Sequence, residues 1–191
     1  PAGMTRQVWL TFHPDDVKPG VYEGGVVVAS APGGVRFPLR MHLYPLDFPD
    51  QQSLHFGGWD YTHRPRYFDF ITEESRPEFI AHLRAHLVDS PWATRTVMPR
   101  GTYDETGAMT SPPSTHLFDT WVDLWPGAAQ YMVFADADHH FESLPKWTPE
   151  FNNAIKAWVT FWADHASSKG IAPEQFVLLL VDEPDEPYMD E

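Results

Sequence analysis

The rhythm of hydrophobic and polar positions changes near residue 50. Before it the period is two. Val35, Phe37, Leu39, Met41 and Leu43 alternate with Arg36, Pro38, Arg40, His42 and Tyr44, which predicts a strand with one dry and one wet face. Tyr22 to Ser30, centred on Val26, Val27 and Val28, predicts another strand, and Val8 to Phe12 a short one before it. Pro14, Pro19 and Gly20 punctuate the first junction, and Pro32-Gly33-Gly34 the second. Pro38 lacks a backbone donor, which suits an edge position. Three antiparallel strands are expected here, part of a β-sandwich.

Leu46 to Asp50 reads as a linker. Beyond it, short apolar runs alternate with stretches of helical spacing. Ser53 to Trp59 predicts a short strand. Ser75-Arg-Pro-Glu78 has the form of a capping box, and Phe79, Ile80, Leu83 and Leu87 follow at helical intervals. Thr94 to Met98 predicts the next strand. Leu117, Phe118, Trp121, Val122 and Trp125 predict a helix stopped by Pro126-Gly127, and Gln130 to Ala135 a third strand. Thr148 and Pro149 open a long helix with Phe151, Ile155, Trp158 and Trp162 on one face, ended by Lys169-Gly170. Phe176 to Val181 is the fourth strand.

The order is β-rich and then βαβαβαβ. Strands alternating with helices predict an α/β fold with a parallel sheet and right-handed crossovers. Four such strands make an open sheet or the first half of an eight-stranded, TIM-type (β/α)8 barrel. Residues 1–50 are read as the closing part of a β-sandwich domain plus linker, and residues 51–191 as the α/β domain. Gly57-Gly-Trp-Asp60 lacks the GxGxxG spacing of a dinucleotide loop.

Composition narrows the function classes. The chain has 191 residues, 42% hydrophobic and 15% aromatic, as a folded protein should be. Its net charge of −14 repels phosphate backbones, so no nucleic-acid partner is expected. No apolar run reaches transmembrane length, so no membrane insertion is expected. The absence of cysteine excludes disulfides and Cys-zinc sites. The eight Trp and seven Tyr suit a sugar cleft, though any single one is more simply a core residue.

The candidate chemistry clusters where predicted strands end, the edge at which a β/α barrel places its active site. The run Val177-Leu-Leu-Leu-Val181 leads into Asp182-Glu183-Pro184, which points to acid/base chemistry. After the third strand come Asp136, Asp138, His139 and His140, read as substrate-lining or, in a metal-dependent hydrolase, as ligands. After the first come Trp59 and Tyr61, which would stack on a sugar ring, with Asp60 and His63 to bond its hydroxyls. After the second comes Arg100, read as a ligand contact. No serine has a nucleophile-elbow context.

Together these residues resemble the glycoside hydrolase family 123-like proteins and their bacterial relatives. The resemblance is carried by Trp9-Leu-Thr, Lys18-Pro-Gly-Val-Tyr-Glu-Gly24, Pro38-Leu39, Leu46-Asp-Phe-Pro49 and Val181-Asp-Glu-Pro184. It implies a sandwich leading into a barrel, and a secreted, periplasmic or cell-surface enzyme acting on a carbohydrate substrate without cofactor or metal. It further implies retaining, substrate-assisted hydrolysis of 2-acetamido sugars of the β-N-acetylgalactosaminidase kind. Glu183 would be the general acid, and Asp182 would stabilise the acetamido group. Such a barrel has eight strands, so the chain is expected to be part of a longer protein, or to have its open edge covered by the missing half-barrel or another copy. The competing reading is a non-catalytic carbohydrate-binding or surface-assembly protein on the same fold.

Overall fold

The computed structural model describes residues 3–5, 7–29, 33–47, 52–64, 66, 68–135 and 140–180, with His140 described by its backbone alone. The chain divides into two compact units, Pro1–Gln51 and Gln52–Glu191.

In the first unit, β1 (Gly20–Val28) and β2 (Val35–Leu43) form one antiparallel hairpin. Its register runs from Gly20 opposite Leu43 to Val28 opposite Val35, with Pro38 opposite Gly25. The period-two reading of β2 holds at one end. Leu39, Met41 and Leu43 are half-buried on one face, while Val35 and Phe37 on the same face stay exposed. Val8 to Phe12 is not a strand: no described segment pairs with its backbone, and Trp9 is 82% exposed. The expected three strands are therefore two, among the described residues.

The second unit is a mixed α/β structure. In chain order it contains β3 (Phe56–Gly57), α1 (Arg76–Ala85), β4 (Val88–Ser90), β5 (Trp92–Thr94) and a 3-10 turn at Arg95–Val97. Then come the hairpin β6 (Thr102–Tyr103) and β7 (Met109–Ser111), α2 (His116–Leu124), β8 (Tyr131–Phe134) and the hairpin β9 (His140–Phe141) and β10 (Leu144–Pro145). The last elements are α3 (Pro149–Ser168), a 3-10 turn at Pro173–Gln175, and β11 (Phe176–Leu179).

The second parallel strand lies earlier than its expected place at Thr94 to Met98. It occupies residues 88–94 as β4 and β5, interrupted by Pro91, and Arg95–Val97 is already a 3-10 turn. Proline donates no hydrogen bond, so the ladder breaks on one side only. On the other side it continues, because the Asp89 carbonyl accepts from the Ala129 N–H at 2.9 Å and the Pro91 carbonyl from the Met132 N–H at 3.0 Å. β3 pairs parallel with β4, β5 with β8, and β8 with β11. The strands thus lie side by side in chain order, and those described do not close into a barrel.

The three described helices pack into one core. Ala93, Val133 and Leu178, which share a face of the sheet, join Ile80 of α1, Phe118, Trp121 and Val122 of α2, and Phe151, Trp158 and Trp162 of α3. The alternate residues Trp92, Met132 and Val177, then Thr94, Phe134 and Leu179, turn to the opposite face and remain partly exposed.

The helix ends follow local chemistry. Ser75 does not cap α1 with its side chain. The reciprocal box sits three residues upstream, where the Thr72 N–H donates to Ser75 Oγ at 2.9 Å and the Ser75 N–H to Thr72 Oγ1 at 3.1 Å. The same helix stops at Ala85, and Leu87 takes a left-handed φ of 68° and points outward. α3 begins as read: Thr148 Oγ1 accepts from the Phe151 N–H at 3.2 Å. It ends in a Schellman motif, with Gly170 N–H donating to the Ser167 carbonyl and Ile171 N–H to the Ala166 carbonyl. Between α2 and α3, His165 Nε2 lies 2.7 Å from Asp119 Oδ1, and Lys169 Nζ 3.7 Å from the same oxygen. Partial burial opposes the Asp119 charge. The hydrogen bonds from His165 and Thr115 and the charges of His165 and Lys169 outweigh it, holding the carboxyl below its usual range.

Two outcomes are expected. Trp158→Ala removes a fully buried indole and should cost about 3–5 kcal/mol in urea unfolding of the second unit. Because the Asp119 pKa is lower folded than unfolded, its contribution is complete above the unfolded value of about 3.9 and fades as pH falls through the folded value. The stability advantage of wild type over Asp119→Asn should therefore shrink on acidification below about pH 5, read as thermal midpoints across a pH series.

Candidate functional site

The first loop leaves β3 through Gly57, where a Cβ would run into the Ser90 carbonyl, so glycine alone fits. Gly58, Trp59 and Tyr61 then take φ values of 137°, 47° and 42°. This left-handed path throws Trp59 outward and turns the next four residues in. Trp59 is 56% exposed, whereas Asp60, Tyr61, Thr62 and His63 are buried.

Asp60 and His63 were expected to meet sugar hydroxyls; the fold places their polar atoms against the protein itself. Asp60 Oδ2 accepts the Trp92 N–H at 2.7 Å, and Oδ1 accepts the Thr62 N–H and hydroxyl at 3.2 and 3.0 Å. Burial raises the Asp60 pKa in spite of these bonds. Thr62 Oγ1 in turn accepts from Trp125 Nε1 at 2.8 Å. His63 Nε2 lies 3.0 Å from Thr94 Oγ1, which lies 2.8 Å from Thr96 Oγ1. Burial first, and the charges of Arg64 and Arg76 second, push the His63 pKa down to about 4, so the ring is neutral at pH 7. Tyr61 packs edge-on against both Trp59 and His63. Trp59 stacks on Trp92 with ring centroids 5.3 Å apart at 28°.

The second loop begins at the 3-10 turn. Its path is pinned from below: the indole N–H groups of Trp158 and Trp162 both donate to the Pro99 carbonyl, at 3.1 and 3.3 Å. Arg100 follows directly, its guanidinium carbon 4.8 Å from the Phe141 ring centroid. The Tyr103 hydroxyl donates to the Arg100 carbonyl at 2.6 Å. Burial and the Glu142 charge push the Tyr103 pKa up to about 12 against the opposing charge of Arg100.

These elements frame a cleft of about 360 Å³ lined by Arg95, Thr96, Met98, Pro99, Arg100, Ala135 and Glu142. It opens beyond the C-terminal ends of β5 and β8. Arg100 was expected here. Arg95, Thr96 and Glu142 were not: placing a strand over 94–98 hid the first two, and nothing in the sequence singled out the third. A smaller hollow of about 210 Å³ between α3 and β11 has only apolar walls, among them Met98, Trp162, Ala166, Ile171, Phe176 and Leu178.

Asp136, Asp138, His139, Asp182 and Glu183 lie outside the described residues, as does the His140 side chain. The strand ends that precede them are described. Phe134 is in register with Leu179, and the Ala135 N–H donates to the Leu179 carbonyl at 2.8 Å. Among the described residues no three His, Asp or Glu side chains are grouped to hold a metal ion. No helix among them is long and apolar enough to cross a membrane.

Asp60→Ala should cost about 1–3 kcal/mol, because it leaves the partly buried Trp92 N–H without its acceptor. Trp59→Ala at the exposed neighbouring position should stay within about 0.5 kcal/mol of wild type in the same urea series. Among known proteins, no family model matches this chain, and no curated protein matches it at a significant level.

Proposed function

We propose that residues 52–191 are the first half of a (β/α)8 barrel and that the protein is a retaining glycoside hydrolase acting on 2-acetamido sugars. Strands laid side by side in chain order, with every described helix on one face, are what a singly wound barrel requires. A doubly wound sheet would put helices on both faces. The observation that carries the reading is the pairing of β8 with β11. In the sequence Asp136-Ala-Asp-His139 and Asp182-Glu183 come directly after these two neighbouring, parallel strand ends, and Ala135 at the end of β8 lines the cleft with Arg95, Thr96 and Arg100.

In the proposed reaction the substrate's acetamido oxygen forms a bond to the anomeric carbon as the glycosidic C–O bond breaks. Glu183 gives its proton to the leaving oxygen. Asp182 accepts the acetamido N–H and balances the positive charge that develops on the ring so formed. Glu183, now a carboxylate, takes a proton from the water that reopens that ring at the anomeric carbon, so configuration is retained. Adjacent carboxylates raise each other's pKa, which keeps one protonated near neutral pH. Substrate-assisted enzymes need no carboxylate nucleophile.

Glu183→Gln should lower kcat/KM on the methyl β-glycoside of N-acetylgalactosamine by about 10²–10⁴-fold. The loss should be much smaller on the 4-nitrophenyl glycoside, whose leaving group needs little protonation. Equal losses on both substrates, or none, would remove Glu183 as the acid. A non-catalytic carbohydrate-binding role is the second reading, favoured by the exposed indole of Trp59. Calorimetric binding of the methyl glycoside with no product formed by wild type would select it.

A further inference from the structure

Trp59 is costly where it stands. A large apolar ring is left 56% exposed on a left-handed backbone that bulky residues rarely adopt. The surroundings nonetheless hold it firmly. Trp92 stacks on the indole, the Tyr61 ring meets it at 84°, and the loop beneath is locked by the bonds of Asp60 and Thr62. Trp147 is also exposed and left-handed, but the Lys146 ammonium sits over its ring at 4.7 Å. A rigid, backed indole open to solvent is a stacking surface for the C–H face of a pyranose.

Its position adds the second element. Trp92 and Thr94 alternate onto the same face of the sheet, two residues and therefore about 6–7 Å apart. Thr94 is bonded to Thr96 in the cleft wall. The strand position that backs Trp59 is thus about one sugar-ring length along β5 from Thr94, the residue bonded to the cleft wall.

We infer that Trp59 forms a separate subsite for a second pyranose, adjoining the one held in the cleft, so that the ligand is an oligosaccharide or glycoconjugate of at least two rings. This rests on the proposed glycosidase site for the identity of the first ring, while the second ring is assigned by Trp59 alone. The ligand then lies along the partly exposed sheet face, from the first loop to the ends of β5 and β8.

The test is calorimetry in the Glu183→Gln background, so that nothing is turned over. The probes are the methyl β-glycoside of N-acetylgalactosamine and a β-linked disaccharide ending in the same sugar. The disaccharide should bind about tenfold more tightly, the scale of one aromatic stack. Adding Trp59→Ala should abolish that ratio with the methyl glycoside and the thermal midpoint unchanged, and Trp147→Ala should leave it intact. A ratio unaffected by Trp59→Ala overturns the subsite while leaving the cleft reading standing. Failure of both probes to bind overturns the subsite as well. Methyl-glycoside hydrolysis by wild type then decides the cleft reading on its own.

Discussion

Proline at position 91 removes one donor from the middle of a parallel strand, and the second unit is arranged around that gap. The Trp92 N–H just beyond it has no short strand β3 left to bond, and a buried carboxylate, Asp60, takes that place. Holding Asp60 there fixes the first loop. The loop must turn through left-handed conformations to bring the carboxylate in, and the same turn puts Trp59 out and His63 under Thr94. A charge-bearing group is expensive to bury unless its oxygens are satisfied. Both oxygens of Asp60 are occupied, which offsets part of that cost, although burial still outweighs the bonds and leaves the pKa raised.

A second constraint works from the helix side. Two indoles of α3 converge on one carbonyl, that of Pro99. The helix that fills the core therefore also sets the height of the loop carrying Arg100. Packing and site geometry are joined through ordinary hydrogen bonds of large core residues, without a dedicated positioning element. The 3-10 turn after β5 completes the cleft wall by presenting Arg95 and Thr96 beyond the strand end.

Strong periodicity was legible in the sequence. The long face of α3, its Thr148 cap and its Gly170 exit appear where the residues placed them, as do α2, β1, β2 and β8. Errors arose where a local signal had two solutions. Thr72 and Ser75 form the reciprocal pair that the sequence assigns to Ser75 and Glu78, because Ser75 can serve as either member of such a box and here its hydroxyl accepts from the Thr72 N–H. The strand after α1 lies at residues 88–94 and not over the β-formers of Thr94 to Met98, because those residues already turn into the 3-10 segment. Pro91 proved a local break rather than a boundary. The hairpin β6–β7 is too short to show a period, and its one signal is the turn chemistry of Asp104 and Gly107. Within the site, residue types were readable but directions were not. Which of Trp59, Asp60 and His63 would face solvent depends on three left-handed dihedrals that no side-chain pattern encodes.

The three-membered chain from His63 through Thr94 to Thr96 has one more property. A threonine hydroxyl carries a single proton, and that of Thr94 lies between two partners. It serves one of them, and the other contact must be donated by the neighbour. When Thr94 donates to the imidazole, Thr96 donates to Thr94 and turns lone pairs toward the cleft. When the imidazole donates to Thr94, Thr94 donates to Thr96, and the proton of Thr96 is released to the cleft. A tautomeric choice in a ring sealed from solvent is thereby converted into the sign of a dipole in the cleft wall.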